Sequence, residues 1–370
     1  MRKGWEYKKL GEICSSDLGK TLNKSKDVGN MHPYLCAINI LWDSIDLTTL
    51  KEACFKDDEI DRYTVKYGDL LVCEGGDTGR AAIWDRKEPI LYQNALHRLR
   101  FKEDVDARFI MYNLWHKKQI GEIDHKYSKG VTILHLVKYA LLSIPILLPP
   151  LSTQLTIVSE LDKINELIRL KKEQLKDFDN LAQSIFYEMF GDPVENEKGW
   201  EVKKLGEVCD IFAGGDKPND IKATKDNEYI YPVIANGEGE KGILGYTKKC
   251  RVIKNAVTIG ARGASIGNCR IVKDGFTPAI RLLTLIPSEK LDCPFLFYIV
   301  KGLDYKQNGA GQAQLTVPNI KNESIPLPPL PLQHLFALRI EQIEHQKAEV
   351  QKAITDLETL LASRMQYWFE

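Results

Sequence analysis

Apolar residues recur between positions 157 and 189 in alternating steps of four and three. Ile157, Leu161, Ile164, Ile168, Leu175, Phe178, Ala182, Ile185 and Met189 share that stripe, with Lys171 as its polar member. The same rhythm returns 179 residues later through Phe336, Ile340, Ile343, Val350, Ile354, Leu357, Leu361 and Trp368, with Lys347 and Arg364 as polar members. A three–four spacing held over about 35 residues predicts a coiled-coil seam. Two ordinary core helices are the competing reading. A polar residue within a seam fixes register and orientation at some cost in stability. Lys171 and Lys347 lie at adjacent core positions of the two stripes, which predicts that the helices pair antiparallel. The alternative is that both ammonium groups snorkel to water.

Elsewhere the pattern is short and β-like. Leu70-Leu71-Val72-Cys73, Ala81-Ala82-Ile83-Trp84 and Val257-Thr258-Ile259 are bounded by glycine- and asparagine-rich turns. Each block carries one helical patch, near 107–120 and 294–301. The expectation is an α+β module on a twisted or barrel-like sheet.

The chain repeats itself. Gly4-Trp5-Glu6-Tyr7-Lys8-Lys9-Leu10-Gly11-Glu12-Ile13-Cys14 returns as Gly199-Trp200-Glu201-Val202-Lys203-Lys204-Leu205-Gly206-Glu207-Val208-Cys209, identical at nine of eleven positions. Asp69–Val72 echoes Ala256–Ile259, each running into a glycine-rich stretch. Ala95-Leu96-His97-Arg98-Leu99 parallels Ala279-Ile280-Arg281-Leu282-Leu283. Phe109–Tyr112 parallels Phe295–Tyr298, and Pro149-Pro150-Leu151 matches Pro328-Pro329-Leu330 at the entries to the two long helices. The order is therefore globular, helix, globular, helix. The first helix stops at Gly191-Asp192-Pro193. The second reaches Trp368-Phe369-Glu370, where that turn would begin, so neighbouring termini and an approximate two-fold axis are expected.

Net charge is zero over 370 residues, but it is unevenly spread. Residues 1–150 carry +2 and 199–325 carry +4, whereas 151–198 carry −4 and 326–370 carry −2. Two mildly basic blocks thus alternate with two acidic helical ones, which permits DNA binding without demonstrating it. No run of about 18 apolar residues suggests a membrane span, and the polar start lacks a signal core, so a cytoplasmic location is expected. The eight cysteines include no Cys-x-x-Cys pair and read as buried reduced thiols. The seven histidines lack repeat counterparts and read as scattered surface residues.

Candidate contacts to nucleic acid lie in polar, glycine-containing loops. In the first block they are Lys20, Thr21, Lys24, Arg80, Lys129 and Thr132. In the second they are Lys217, Asn219, Asn236, Arg262, Ser265, Gln312 and Gln314. Backbone N–H groups in such loops can approach phosphates, and Lys or Arg can neutralise them. Asn and Gln can bond an adenine edge, and Arg a guanine edge. The bland reading of each loop is a solvated turn. Chemistry-bearing motifs are missing from the sequence: no phosphate loop, no dinucleotide fingerprint, no metal-ligand cluster, and no Asn-Pro-Pro-aromatic tetrapeptide. No catalytic residue, metal or cofactor is therefore assigned to this chain.

The paired Gly-Trp-Glu-x-Lys-Lys-Leu-Gly-Glu openings, the Pro-Pro-Leu helix entries and the seam helices ending near Phe190 resemble type I restriction–modification specificity subunits, over essentially the whole chain. The resemblance implies an α+β fold in which two similar target recognition domains are joined by two long antiparallel coiled-coil helices with pseudo-two-fold symmetry. The domains would be 1–150 and 199–325, each reading one half of a split sequence in double-stranded DNA. Residues 151–198 and 326–370 would supply the spacer helices and dock two methyltransferase subunits, with motor–nuclease subunits joining them. It further implies S-adenosylmethionine in the methyltransferase partner, and ATP and Mg in the motor–nuclease. A helix of about 36 residues is roughly 54 Å long, enough to set two readers about one DNA turn apart, near 34–36 Å. A specificity subunit serving only a methyltransferase, and a coiled-coil scaffold that binds no DNA, remain open alternatives.

Overall fold

A computed structural model of the chain describes residues 4–23, 28–130, 133–237, 239–303 and 314–370. It divides into two compact units, Met1–Lys171 with Ala353–Glu370, and Lys172–Lys352. Each unit holds one β-rich module and half of each long helix.

The two modules share one plan. In the first, strands run in the order Cys14–Leu18, Leu96–Phe101, Leu70–Cys73, Ala81–Ile83; in the second, in the order Cys209–Ala213, Leu283–Pro287, Ala256–Ile259, Cys269–Val272. All neighbours in these sheets are antiparallel. A second sheet in each module contains one parallel pair, Asn30–Leu35 with Ile90–Tyr92 and Tyr231–Ile234 with Thr277–Pro278. Glu6–Lys9 pairs with Pro145–Leu148, and Glu201–Lys204 with Ser324–Leu327, so each module is closed where the chain enters and leaves it. The expected helical patches are Ala107–Gln119 and Cys293–Gly302.

The paired strands correct one sequence echo. His97 lies opposite Leu18, and Leu283 opposite Ala213, the corresponding strand end. His97 therefore corresponds to Leu283 rather than to Arg281, and the echo of 95–99 in 279–283 is displaced by two residues. A two-residue shift keeps every side chain on its face of the sheet, so alternation alone could not reveal it.

The long helices are Leu151–Phe190 and Leu330–Phe369. Every expected seam position is buried or half-buried, including Lys171 and Lys347. In the second unit Phe186 and Phe190 meet Phe336 at 5.6 and 5.3 Å, while Asp179 accepts from Lys347 Nζ at 2.8 Å, so the helices run antiparallel. In the first unit Glu160 accepts from Arg364 and, at 3.1 Å, from Trp368 Nε1. Lys347 is thus a paired knob, 24% exposed, that also donates to Glu344 at 2.9 Å.

The helix entries repeat atom for atom. Wholly buried Gln154 accepts from Asp106 N–H at 2.8 Å and donates to the carbonyls of Asp104 and Pro149 at 3.0 and 2.9 Å. Gln333, also wholly buried, does the same with Asp292, Lys290 and Pro328 at 2.8, 3.2 and 2.8 Å. The units differ in how the module meets the rod. In the first, the small hairpin Ile40–Leu41/Ser44–Ile45 brings Asp43 to Arg108 at 2.8 Å and to Asn165 at 2.6 Å. Arg108 also bonds Asp162 at 2.8 Å. Burial pushes the Asp43 carboxyl above the ordinary range despite Arg108. Among the described residues the second module has no such hairpin, and an open groove of about 450 Å³ lies beside Cys293, Pro294, Leu338 and Glu341. An aromatic cluster holds that unit instead, with Phe190 4.7 Å from Phe295 and Phe186 5.8 Å from it.

Two further expectations change. Four cysteines are buried, but Cys14, Cys54, Cys250 and Cys269 are only half-buried; all eight are free thiols. Burial pushes Cys209 and Cys293 up to about 12, which suits unreactive thiols. His97 and His116 are core residues, 1% and 4% exposed, rather than surface ones.

Candidate nucleic-acid interface

In the second unit, hydrogen bonds link the candidate loops in sequence. Ile280 N–H donates to the Gly215 carbonyl at 2.7 Å, and Arg281 N–H to Gly214 at 3.1 Å. Asn236 Nδ2 donates to the Ile280 carbonyl at 2.8 Å, while its Oδ1 accepts from Ala261 N–H at 2.9 Å. Leu315 N–H donates to the Ala261 carbonyl at 3.0 Å, and Arg262 forms a bridge with Gln314. Four segments are joined: 214–219, 279–282, 260–267 and 314–315. Gly214 must be glycine, because a Cβ there would sit 2.7 Å from the Ala279 nitrogen.

On this frame Lys217, Asn219, Arg262 and Gln314 are exposed, and Ser265 is half-buried. Asn236 is half-buried with both ends of its amide spent on the loops. It is therefore a staple and not the open adenine-edge donor expected of it. Gln312 lies outside the described residues.

The first unit builds the same frame with other side chains. Asn94 N–H donates to the Lys20 carbonyl at 3.0 Å, Glu74 N–H to Ala95 at 2.8 Å, and Leu136 N–H to Glu74 at 2.7 Å. Gly19 matches Gly214: a Cβ there would lie 2.4 Å from the Gln93 carbonyl carbon. Buried His97 has Nε2 2.8 Å from the Leu136 carbonyl, which makes that nitrogen the protonated one, and burial holds the ring below the usual histidine pKa. Lys129 is exposed, its backbone paired with His135 at 2.9 and 2.8 Å.

Lys20 does not face solvent. It is 5% exposed, its ammonium 2.6 Å from Glu59 and 3.0 Å from the Cys54 carbonyl, over the Phe55 ring at 4.9 Å. A local glycine–lysine pattern suggested a phosphate ligand; a carboxylate 39 residues away had already claimed the charge. Arg80 is likewise turned inward, donating to the Ala37 carbonyl at 3.0 Å and lying 3.4 Å from Asp77. Its loop is buttressed by Lys118, 2.9 Å from Asp77 and 2.7 Å from Asp124. Thr21 is exposed, while Lys24 and Thr132 lie outside the described residues.

The frame offers ordered backbone and exposed polar side chains at matching places in both modules. Among the described residues no group of His, Cys, Asp and Glu could hold a metal ion, and no helix is long and apolar enough to cross a membrane. Sequence reasoning missed Arg281, exposed in this cluster, because the displaced echo matched it to His97 and not to Ala95. It also missed Gln154 and Gln333; their shared place, five residues after the first proline of each helix entry, was the available signal.

A duplicated α+β module carried on a pair of long helices is the class of protein that the fold and these loops define. The chain belongs to the type I restriction–modification specificity subunits: the family model described as type I restriction modification DNA specificity domain matches residues 2–177 and 197–359. A putative type I specificity subunit of Mycoplasma pneumoniae is 31% identical over 226 residues, an alignment spanning 60% of this chain and 61% of that protein. The MjaVIII specificity subunit of Methanocaldococcus jannaschii is 25% identical, covering 96% of this chain and 92% of the relative. The S subunit structure from M. genitalium superimposes with a TM-score of 0.57 at 15% identity, over 99% of this chain and 96% of that one. A structure addressing complex assembly and conformational transition of the type I system contains a chain with TM-score 0.58 and 20% identity, covering 100% and 98%.

Proposed function

We propose that each module reads one half of a bipartite duplex DNA target, that the paired helices fix the gap, and that the chain itself performs no chemistry. One observation carries this reading. The two modules share the strand order and pairing of their four-stranded antiparallel sheet and several loop hydrogen bonds, yet carry different side chains at matching loop positions. Ala37 corresponds to Asn236, Gly75 to Arg262 and His135 to Gln314. One frame with two surfaces suits two unlike half-sites. Exposed Lys129, Lys217 and Arg262 suit phosphate or base contacts.

The helices' outer faces would carry two methyltransferase subunits, which supply S-adenosylmethionine, and motor–nuclease subunits would add ATP and Mg. Deleting one heptad from the middle of both helices removes about 10 Å of rod at 1.5 Å per residue. The gap should shorten by about three base pairs, at 3.4 Å each. Methylome sequencing of a host carrying the deletion tests this. Unchanged half-sites with a shorter gap are expected; altered half-sites with the original gap would reject the ruler.

A further inference from the structure

The turn Ala279–Leu282 has an unfavourable local sequence. Leu282 N–H closes it onto the Ala279 carbonyl at 3.1 Å, and both central residues are left-handed, Ile280 at φ 48° and Arg281 at φ 58°. Those are the signs of a type I′ turn, which favours Asn-Gly. A β-branched residue is a marked outlier there. The matching turn of the first module, Gln93–Leu96, has the same closing bond at 3.0 Å, but Asn94 and Ala95 stay outside the left-handed region. The strain is thus particular to the second module and not a demand of the fold.

Surrounding groups hold the strained turn in place. Gly214, Gly215 and Asn236 pin both peptide groups of Ile280 and the N–H of Arg281. What they hold faces outward: Ile280 is 47% exposed, and Arg281 is exposed with no hydrogen bond or ion pair to its guanidinium among the described residues. Backbone strain that neighbours over-determine is a mark of functional positions. A phosphate contact needs only a flexible cation, whereas a base edge needs a directed fork. Arginine bonds guanine through two parallel N–H groups, and an apolar neighbour fits a thymine methyl.

We propose that Ile280–Arg281 is a base-reading element of the second module, with Arg281 contacting a guanine edge and Asn236 positioning the turn. This rests on the reading that each module recognises one half-site. The test uses the full chain assembled with its methyltransferase partner, acting on a pool of randomised duplexes whose methylated members are sequenced. Arg281→Ala and Arg281→Lys should both relax preference at one base pair of one half-site by roughly ten- to a hundred-fold, leaving the other half unchanged. Both Arg281 variants should melt within a few degrees of wild type, which controls for folding, and Ile280→Asn, which suits the turn, should raise the melting temperature. If Arg281→Ala leaves both half-sites intact while wild type selects a bipartite target, the base contact is wrong and the half-site reading stands. If Arg281→Ala weakens all sequences alike and Arg281→Lys restores them, Arg281 binds phosphate and the proposal falls. If wild type selects no bipartite target, both readings fail.

Discussion

Replacing Gln154 by leucine should uncouple the first module from its long helix while preserving the shape of the buried side chain. The substitution removes three hydrogen bonds. Only the partner carbonyl of Pro149 lies fully within the buried region, and stranding it costs about 1–3 kcal/mol; the two bonds at Asp104 and Asp106, closer to solvent, are worth about 0.5–1 kcal/mol each. The additional apolar surface that leucine buries offsets about 1 kcal/mol. The net loss is then about 1–4 kcal/mol, or roughly 2–16 °C in the melting of a unit this size. Gln333→Leu should cost the same within about 1 kcal/mol, since its three bonds are the same three. Hydrogen exchange localises the effect. Gln154→Leu should expose the start of helix Ala107–Gln119 and leave Cys293–Gly302 protected, and Gln333→Leu should do the reverse. Gln154→Glu sharpens the test: it keeps the acceptor for Asp106 N–H but turns the donor toward two carbonyls into another acceptor. A buried carboxyl of this kind has a raised folded pKa, so the damage grows as pH rises through that range and shrinks in acid as protonation restores one donor. A cost below about 0.5 kcal/mol for either leucine variant, or equal loss of protection in both units, would refute the reasoning.

Three other outcomes follow from particular contacts. Phe190→Ala should cost about 3–5 kcal/mol, because the ring is 1% exposed among Phe186, Phe295 and Phe336. Its counterpart Phe369 is half-buried, 5.5 Å from Phe109, and Phe369→Ala should cost about 1–2 kcal/mol; unit-resolved melting compares them. Arg364 holds the Glu160 carboxyl below the usual range, with help from Trp368. A depressed folded pKa stabilises above the unfolded value and loses that stability as pH falls through the folded one. Arg364→Met should therefore abolish an acid-sensitive increment below about pH 4.3, read from denaturation between pH 3 and 7. Lys217→Ala should weaken duplex binding uniformly across sequences and lower the slope of log K against log salt by roughly 0.9, as one phosphate contact requires.

The rod was legible because its signal is periodic and long. Its ends were less so. Val158, Phe186, Phe190 and Met365 are as buried as the seam positions but fall one residue beyond them. A helix of 3.6 residues per turn advances against a 3.5-residue repeat, which moves the buried face forward towards a C-terminal end, as at Phe186, Phe190 and Met365; Val158, near an N-terminal end, is not accounted for by this drift. The long-range pairings of charged groups were not legible at all. Lys20 meets Glu59, and Arg108 meets Asp43 and Asp162, across separations that no local pattern encodes.

The same contrast explains the reading residues. A repeated sequence marks what two modules hold in common: the opening strand, the glycines under the loops, the prolines and glutamines at the helix entries. Reading unlike half-sites requires the modules to differ, so the recognising side chains must fall where the repeat signal fails. Ile280 and Arg281 stand at such a place, and the sequence echo matched them to Leu96 and His97, two residues away from their structural counterparts Asn94 and Ala95. Their position emerges only from the backbone, where Gln93–Leu96 and Ala279–Leu282 close the same hydrogen bond around different residues. The informative positions in a duplicated reader are therefore those with shared backbone bonds and unshared side chains: the strained turn meets that criterion, as does Arg262, which bridges to Gln314 where Gly75 bridges to His135.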